Sequence, residues 1–164
     1  MTQKELQTIF TRLIADNNRI IHKICHIYER NNENRKDLYQ EIIGNAWQAF
    51  SKFRGDSKFS TWLYQVSINT AITRFKKEKR VSIQYDPEIL LSEPYPPEPE
   101  NDDKTYAARL YQAIEQLNEI EKAIITLYLD DTNYDEMEII LGISNNTLRV
   151  KMTRIKEKLR NIIK

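Results

Sequence analysis

The stretch that decides the fold is "YDEMEIILGISNNTLRVKMTRIKEKLRNIIK", residues 134–164. Its first eight residues predict a short helix, and Gly142 favours the left-handed cap that ends such a helix. The letters "GIS" then form a tight turn, and either Ser144 or Asn145 can cap a longer second helix. Two helices joined in this way are typical of a helix-turn-helix, whose second helix enters the major groove of DNA.

The second helix has two distinct faces. An apolar stripe steps by four and three residues through Leu148, Met152, Ile155, Leu159 and Ile162. The opposite face carries amides and guanidinium groups that can reach base edges and phosphates, at Asn146, Arg149, Val150, Thr153, Arg154, Glu157 and Arg160. Its aliphatic member, Val150, either contacts a thymine methyl group or is a singly exposed valine without a function. A solvated face of an ordinary bundle, or a helix that binds a protein partner, is the alternative for the whole helix.

The rest of the chain is also predicted to be helical. Apolar residues recur at helical spacing from Leu6 to Ile14 and again from Ile21 to Tyr28. Further helices are expected at about residues 37–53, 59–79, 104–117 and 119–130. Because no segment alternates convincingly at period two, the predicted fold class is all-α, with a helical bundle followed by the helix-turn-helix domain.

An acidic, proline-rich segment divides the chain. All five prolines lie between Pro87 and Pro99, where no helix can continue. Residues 81–103 hold seven acidic residues and no lysine or arginine, which leaves 25 basic and 17 acidic residues, a net charge of +8, elsewhere. We therefore expect domains at residues 1–80 and 104–164, joined by a flexible acidic linker at 81–103.

Composition narrows the class of protein. Of 164 residues, 40% are hydrophobic, and no apolar run approaches the roughly 20 residues of a membrane span. The N-terminus lacks the apolar core of a signal peptide. A single cysteine, Cys25, excludes an internal disulfide framework. These features predict a cytoplasmic protein without membrane insertion.

The N-terminal unit places a polar strip beside an aromatic segment. The helix expected near residues 37–53 is apolar on its other faces, and its polar strip consists of Asp37, Gln40, Glu41, Gly44, Asn45, Gln48 and Ser51. The helix after it has two apolar faces, one through Phe59 and Leu63 and one through Tyr64 and Ile68. The second face meets either another helix of the bundle or unstacked bases. The basic run 74–80 then either contacts phosphates or is a solvated helix end.

Two of these segments together resemble a known family. "KDLYQEIIGNAWQAFSKFRGDSKFSTWLYQVSINTAITRFKKEKR", residues 36–80, resembles region 2 of bacterial RNA polymerase sigma factors, and most of all the extracytoplasmic-function group. "LNEIEKAIITLYLDDTNYDEMEIILGISNNTLRVKMTRIKEKL", residues 117–159, resembles region 4 of the same group. Both occur in the family's order, with the linker between them. The resemblance implies a transcription initiation factor that binds polymerase core and directs it to promoters.

The resemblance also implies roles for individual residues. The motif "DLYQE" would dock on the clamp helices of the largest polymerase subunit through Asp37, Gln40 and Glu41, and the helices near residues 117–129 would hold the flap of the second-largest subunit. Capture of the minus-ten element would fall to Arg54, Asp56, Ser57, Lys58, Ser60, Thr61, Tyr64, Gln65, Asn69, Arg74 and Lys77. The minus-thirty-five element would be read by Asn146, Thr147, Arg149, Val150, Lys151, Thr153 and Arg154. The expected partners are polymerase core, promoter DNA and an anti-sigma factor.

Other chemistries have weaker support in the sequence. His22, Cys25 and His26 lie within about one helical turn and could ligate zinc, but a fourth ligand is not evident and Cys25 belongs to an apolar stripe. Neither a phosphate-binding glycine loop nor an activated-serine motif is present. We therefore expect no enzyme activity, no cofactor and no metal. The alternatives are a stand-alone helix-turn-helix regulator and a helical interaction protein that does not bind DNA.

Overall fold

The computed structural model describes residues 2–85 and 105–163, and helices account for most of them. No strand occurs within these two ranges, so the all-α prediction is confirmed. The helices in chain order are α1 (Gln3–Asp16), α2 (Asn18–Tyr28), α3 (Asn32–Phe50), α4 (Phe59–Tyr85), α5 (Tyr106–Glu115), α6 (Glu119–Leu129), α7 (Tyr134–Leu141) and α8 (Asn145–Ile163).

Local sequence explains where the helices begin. At six helix starts a side-chain oxygen accepts a hydrogen bond from the backbone N–H three residues further on, which satisfies one of the otherwise unpaired amides. These capping residues are Thr2, Asn31, Thr105, Asn118, Asn133 and Ser144. The end of α7 is equally local, because Gly142 adopts a left-handed φ of 68° and its N–H donates to the Glu138 carbonyl at 2.8 Å. The predicted bounds of α7 and α8 are thus confirmed.

Two predicted boundaries differ from the structure by five residues or more. Helix α3 begins at Asn32, five residues before the predicted start at residue 37, because Asn31 caps it. Helix α4 continues to Tyr85, so the prediction of a linker from residue 81 is wrong for its first five residues. The physical reason is that the first proline is Pro87, so no proline interrupts the helix before Tyr85. The remainder of the predicted linker, residues 86–103, lies outside the described residues.

Apolar side chains from both halves of the chain form one buried cluster. In the first half α3 packs on α4, and α2 packs on both; in the second half α8 packs on α5, α6 and α7. The largest fully buried side chains are Ile21, Ile24, Leu38, Ile42, Leu63 and Ile68 in the first half, and Ile114, Ile124, Leu127, Met137, Leu148 and Met152 in the second. Burial of each contributes roughly 1.5–3 kcal/mol relative to exposure.

The two halves also pack against each other. Helix α2 contacts α5 and α6, and α4 contacts α6 and α7. On the second apolar face of α4, Tyr64, Ile68 and Ala71 are at most 5% exposed, whereas Phe75 at the end of that face is 38% exposed. Of the two interpretations of that face, packing against protein is therefore the one that this arrangement shows.

Candidate nucleic-acid interface

Aromatic side chains pack together in and beside the loop between α3 and α4. Phe50, Phe53, Phe59 and Trp62 form a cluster in which ring centroids lie 5.2–6.3 Å apart. Gly55 turns the chain at a left-handed φ of 77°, a conformation that glycine adopts without steric cost. The cluster therefore holds the ends of the loop while the short polar stretch around Gly55 reaches solvent.

The residues predicted to capture the minus-ten element do not form one continuous exposed surface. Exposed members are Arg54, Asp56, Lys58, Asn69 and Lys77, and half-buried members are Ser57, Ser60, Gln65 and Arg74. Thr61 and Tyr64 are buried, at 7% and 5% exposure. A role for Tyr64 in DNA binding stays a prediction, and in this arrangement its hydroxyl group donates a hydrogen bond to Asp130 instead.

The polar strip of α3 is exposed as predicted, and Asp37, Gln40 and Glu41 all face solvent. Their neighbour on α4 was not predicted. Arg74, which sequence reasoning assigned to DNA, places its Nη2 atom 4.0 Å from Asp37 Oδ2 and its Nη1 atom 3.7 Å from Glu41 Oε1. The structure thus joins one residue of the minus-ten set to two residues of the polymerase-docking set.

The outer face of α8 is open to solvent, while its apolar stripe is buried. Leu148, Met152, Ile155 and Leu159 are at most 6% exposed, and Val150 on the other side is 52% exposed. The predicted minus-thirty-five residues are all exposed except Lys151, which is half-buried. They therefore form a single surface along one side of the helix.

Arg149 is held in place by residues that the sequence reasoning missed. Its Nε donates to Asn145 Oδ1 at 2.8 Å, and its guanidinium lies 4.6 Å from the centre of the Tyr134 ring. The Nδ2 of Asn145 in turn donates to Asp135 Oδ1 at 2.9 Å. The spacing of Asn145 and Arg149, one helical turn apart, was the available signal for the first of these contacts.

A charged contact joins the two halves at Asp130, which caps the C-terminus of α6. Lys23 Nζ lies 3.2 Å and Arg19 Nη2 lies 3.9 Å from Asp130 Oδ1, and the Tyr64 hydroxyl donates to Oδ2. Burial raises the pKa of this carboxyl, but the hydrogen bonds and the two cations outweigh burial and hold the pKa below its usual value. Burial, together with the bond to Asp130, raises the pKa of Tyr64.

Further contacts extend this interface in both directions. Lys58 Nζ lies 4.0 Å from Glu136 Oε1 on α7. On the other side, the Tyr28 hydroxyl donates to the Glu119 carbonyl at 2.6 Å. One residue of the minus-ten set thus lies against the first helix of the helix-turn-helix.

The residues of the candidate zinc site pack separately. His22 stacks on Tyr39 with ring centroids 4.9 Å apart, and His26 meets the edge of Tyr111 at 5.8 Å. Cys25 is buried, and burial raises the pKa of its thiol to about 12. Across residues 2–85 and 105–163, no group of three histidine, cysteine or acidic residues is arranged to hold a metal. Within the same ranges, no helix is long and apolar enough to span a membrane.

Comparisons with known proteins follow the same division of the chain. The sequence model of Sigma-70 region 2 matches residues 13–81, and that of Sigma-70, region 4 matches residues 107–159. The chain is 30% identical to the ECF RNA polymerase sigma-E factor of Escherichia coli (strain K12), over 97% of its own length and 88% of that protein. It is 24% identical to RNA polymerase sigma factor SigV of Bacillus subtilis (strain 168), over 90% of its length and 87% of that protein.

Solved structures share the fold. The sigma factor RpoE in complex with the anti-sigma factor NepR from Bartonella quintana superposes with a TM-score of 0.73 at 17% identity, covering 94% of this chain and 96% of that one. CnrH in complex with the cytosolic domain of CnrY gives a TM-score of 0.65 at 18% identity, covering 96% and 88%. With both sigma regions matched in order and a 30% identical relative matched along nearly the whole chain, this protein belongs to the ECF family of RNA polymerase sigma factors and is a transcription initiation factor.

Proposed function

We propose that the chain binds RNA polymerase core through the exposed strip of α3, with Asp37, Gln40 and Glu41 on the clamp helices of the largest subunit. The support is their common exposure on one face of a helix whose apolar side chains are buried or half-buried. Helix α6 and the segment before it, near residues 117–129, would hold the flap of the second-largest subunit. Nucleotide addition then belongs to the core enzyme, and the chain works in the cytoplasm.

DNA reading is divided between the two units, with residues 1–80 acting on the minus-ten element and residues 104–164 on the minus-thirty-five element. The observation that carries this proposal is the outer face of α8. Polar and basic side chains are exposed there, the apolar stripe on the opposite side is buried, and a turn capped at Gly142 precedes the helix. The polar loop around Gly55 is the corresponding surface of the first unit. It presents the cations Arg54 and Lys58 next to a fixed aromatic framework.

Promoter binding requires the two units to separate. Elements centred near minus ten and minus thirty-five lie about 25 base pairs apart, which is roughly 85 Å along the duplex. In this structure Lys58 lies 4.0 Å from Glu136, and Arg149 lies 4.6 Å from the ring of Tyr134, two residues from Glu136. The two DNA-reading surfaces are therefore too close to occupy both elements, so the packed arrangement belongs to the chain without promoter.

We propose an anti-sigma factor as a second partner. RpoE is bound to NepR and CnrH to the cytosolic domain of CnrY in the two structures that superpose on nearly all of this chain. A partner that binds both units at once would keep them together and prevent the separation that promoter binding needs. Such a partner would act by favouring an arrangement that the chain already forms.

In vitro transcription with purified core polymerase tests this function. On a pool of promoter sequences, we expect start sites that require both core and this chain. The alternative, a stand-alone helix-turn-helix regulator, predicts specific binding to duplex DNA without core. Absence of any start site that depends on both components would contradict the proposal.

A further inference from the structure

A nearly buried guanidinium connects three helices of the first unit. The Arg74 side chain on α4 is only 13% exposed, and its Nε lies 3.3 Å from Glu29 Oε1 and 3.1 Å from Glu78 Oε1. Its Nη2 and Nη1 atoms lie 4.0 Å from Asp37 Oδ2 and 3.7 Å from Glu41 Oε1. All three guanidinium nitrogens therefore face carboxylates, four in number.

The four carboxylates differ in their exposure, and the difference defines an inner and an outer side. Glu29 is 14% exposed, and it forms the inner pair with Arg74. Burial and the charge of Glu78 raise the pKa of Glu29, while Arg74 opposes that rise. Asp37 and Glu41 are 66% and 52% exposed and form the outer side. The inner pair thus anchors the guanidinium while its Nη atoms remain directed at the outer carboxylates.

The cation of Arg74 reduces the repulsion between the two outer carboxylates. Asp37 and Glu41 are four residues apart on α3, so they are adjacent on the helix surface, where two like charges repel. Arg74 lies within 4.0 Å of both, and opposes that repulsion. Without it, the two side chains would move apart into solvent and lose their fixed positions.

Direct DNA binding is the competing role for Arg74. A phosphate would have to displace carboxylates from a side chain that is 13% exposed, and it would meet four negative charges there. Lys77, three residues further along α4, is exposed and remains the better candidate for a phosphate contact.

We propose that Arg74 is a positioning residue for polymerase docking, which holds Asp37 and Glu41 in the arrangement that the core enzyme recognises. This inference rests on the proposed docking role of those two carboxylates. Its consequence is that Arg74 contributes to core binding in the absence of DNA.

The test is the affinity of labelled full-length protein for core polymerase, measured without DNA. Glu29→Gln with Arg74→Gln removes both buried charges, so neither is left unpaired. We expect this double variant to bind core up to about fivefold more weakly. Glu29→Gln alone keeps the cation near Asp37 and Glu41 but weakens its anchor, so its affinity for core should lie between those of the wild type and the double variant. Lys76→Gln, an exposed change on the same helix, is the matched control.

A double-mutant cycle separates positioning from a general structural role. In a background of Asp37→Asn with Glu41→Gln, loss of Arg74 should cause no further weakening, because it acts through those carboxylates. Arg74→Lys keeps the charge but not the planar fork and should give an intermediate affinity for core. It also provides the test if the variant carrying Glu29→Gln and Arg74→Gln fails to fold.

The outcomes are distinct. The role of Arg74 would be overturned if its loss weakened core binding equally with and without Asp37 and Glu41. It would also be overturned if the variant carrying Glu29→Gln and Arg74→Gln bound core like the wild type. Neither result would question core binding itself. A defect seen only when promoter DNA is present would also overturn it, in favour of direct DNA contact. Failure of the wild-type chain to bind core would instead overturn the proposed function.

Discussion

Asp130 is the residue on which the contact between the two halves is centred. Tyr64 and Lys23 donate hydrogen bonds to its two carboxylate oxygens, and Arg19 adds a second cation. These contacts join positions 66 and 107 residues apart in the chain. Since Asp130 also caps α6, one carboxylate connects the end of a helix in the second unit to α2 and α4 in the first.

Asp130→Asn should lower the free energy of unfolding at pH 7 by about 1 kcal/mol, because charge-assisted hydrogen bonds become neutral ones at a partly exposed site. The effect should depend on pH. The folded pKa of Asp130 lies below its unfolded value, so its contribution is complete above an unfolded pKa of about 3.9 and is lost as pH falls through the folded pKa. Urea unfolding of both proteins between pH 7 and pH 3 measures this difference.

Asp131→Asn is the matched control for this prediction. Asp131 is exposed and has a left-handed φ of 59°, a conformation that asparagine tolerates. We expect its stability to match that of the wild type at every pH. A loss at pH 7 that is equal in the two variants would mean that the Asp130 contacts do not stabilise the chain.

At the scale of the helical element, two glycines should respond to alanine in opposite directions. A Cβ atom would meet nothing within 4 Å at Gly142 or at Gly44, so packing does not distinguish them. Gly142 has a φ of 68°, and alanine there should cost about 1 kcal/mol. Gly44 lies within α3, where alanine should stabilise the helix by up to about 1 kcal/mol.

Thermal unfolding followed by circular dichroism checks both glycine variants. The expected signs are a lower Tm for Gly142→Ala and a higher Tm for Gly44→Ala. If the two shifts had the same sign, backbone conformation would not be what makes Gly142 necessary between α7 and α8.

The outer face of α8 makes a prediction about salt dependence. Arg154→Ala should weaken the binding of the core-loaded protein to promoter DNA and, if Arg154 contacts a phosphate, reduce the slope of log K against log salt by about 1. Lys156→Ala is the control, because the Lys156 ammonium lies 4.7 Å from the centre of the Tyr128 ring. Identical affinities and slopes for both variants and the wild type would argue against this face as the DNA-reading surface.

At the scale of the whole molecule, the two units should move apart when promoter DNA is bound. Fluorophores on Lys52→Cys and Glu138→Cys, which are exposed positions in different units, should show strong energy transfer in the free chain. Transfer should fall to near background in a complex with core and promoter, where the two elements are roughly 85 Å apart. Cys25 should not interfere, because it is buried and its thiol pKa is about 12.

A second pair of labels controls for local changes at the dyes. Lys36→Cys and Lys52→Cys both lie in the first unit, one near the start of α3 and one two residues beyond its end, and are separated by roughly 20–25 Å. The energy transfer between these two labels should be the same in the free chain and in the complex with core and promoter. Unchanged transfer for the first pair, in a complex that produces transcripts, would show that the units do not separate.

The sequence by itself determined the helices, their caps and the faces they bury. The reason is that these features depend on residues within about one helical turn, such as Ser144 as a cap, Gly142 as a left-handed end, and the stripe from Leu148 to Leu159. The polar strip on α3 could be predicted for the same reason. The two resembling segments then sufficed to identify the family.

Only the tertiary structure decided what each face meets. Helical periodicity showed that α4 has a second apolar face but could not tell protein from bases as its partner; packing of the two halves buried Tyr64 against Asp130. Arg74 was assigned to DNA because it lies in a basic run, yet α2 and α3 bring Glu29, Asp37 and Glu41 to it. Such contacts join residues distant in sequence, and their partners are set by how the helices pack rather than by local spacing.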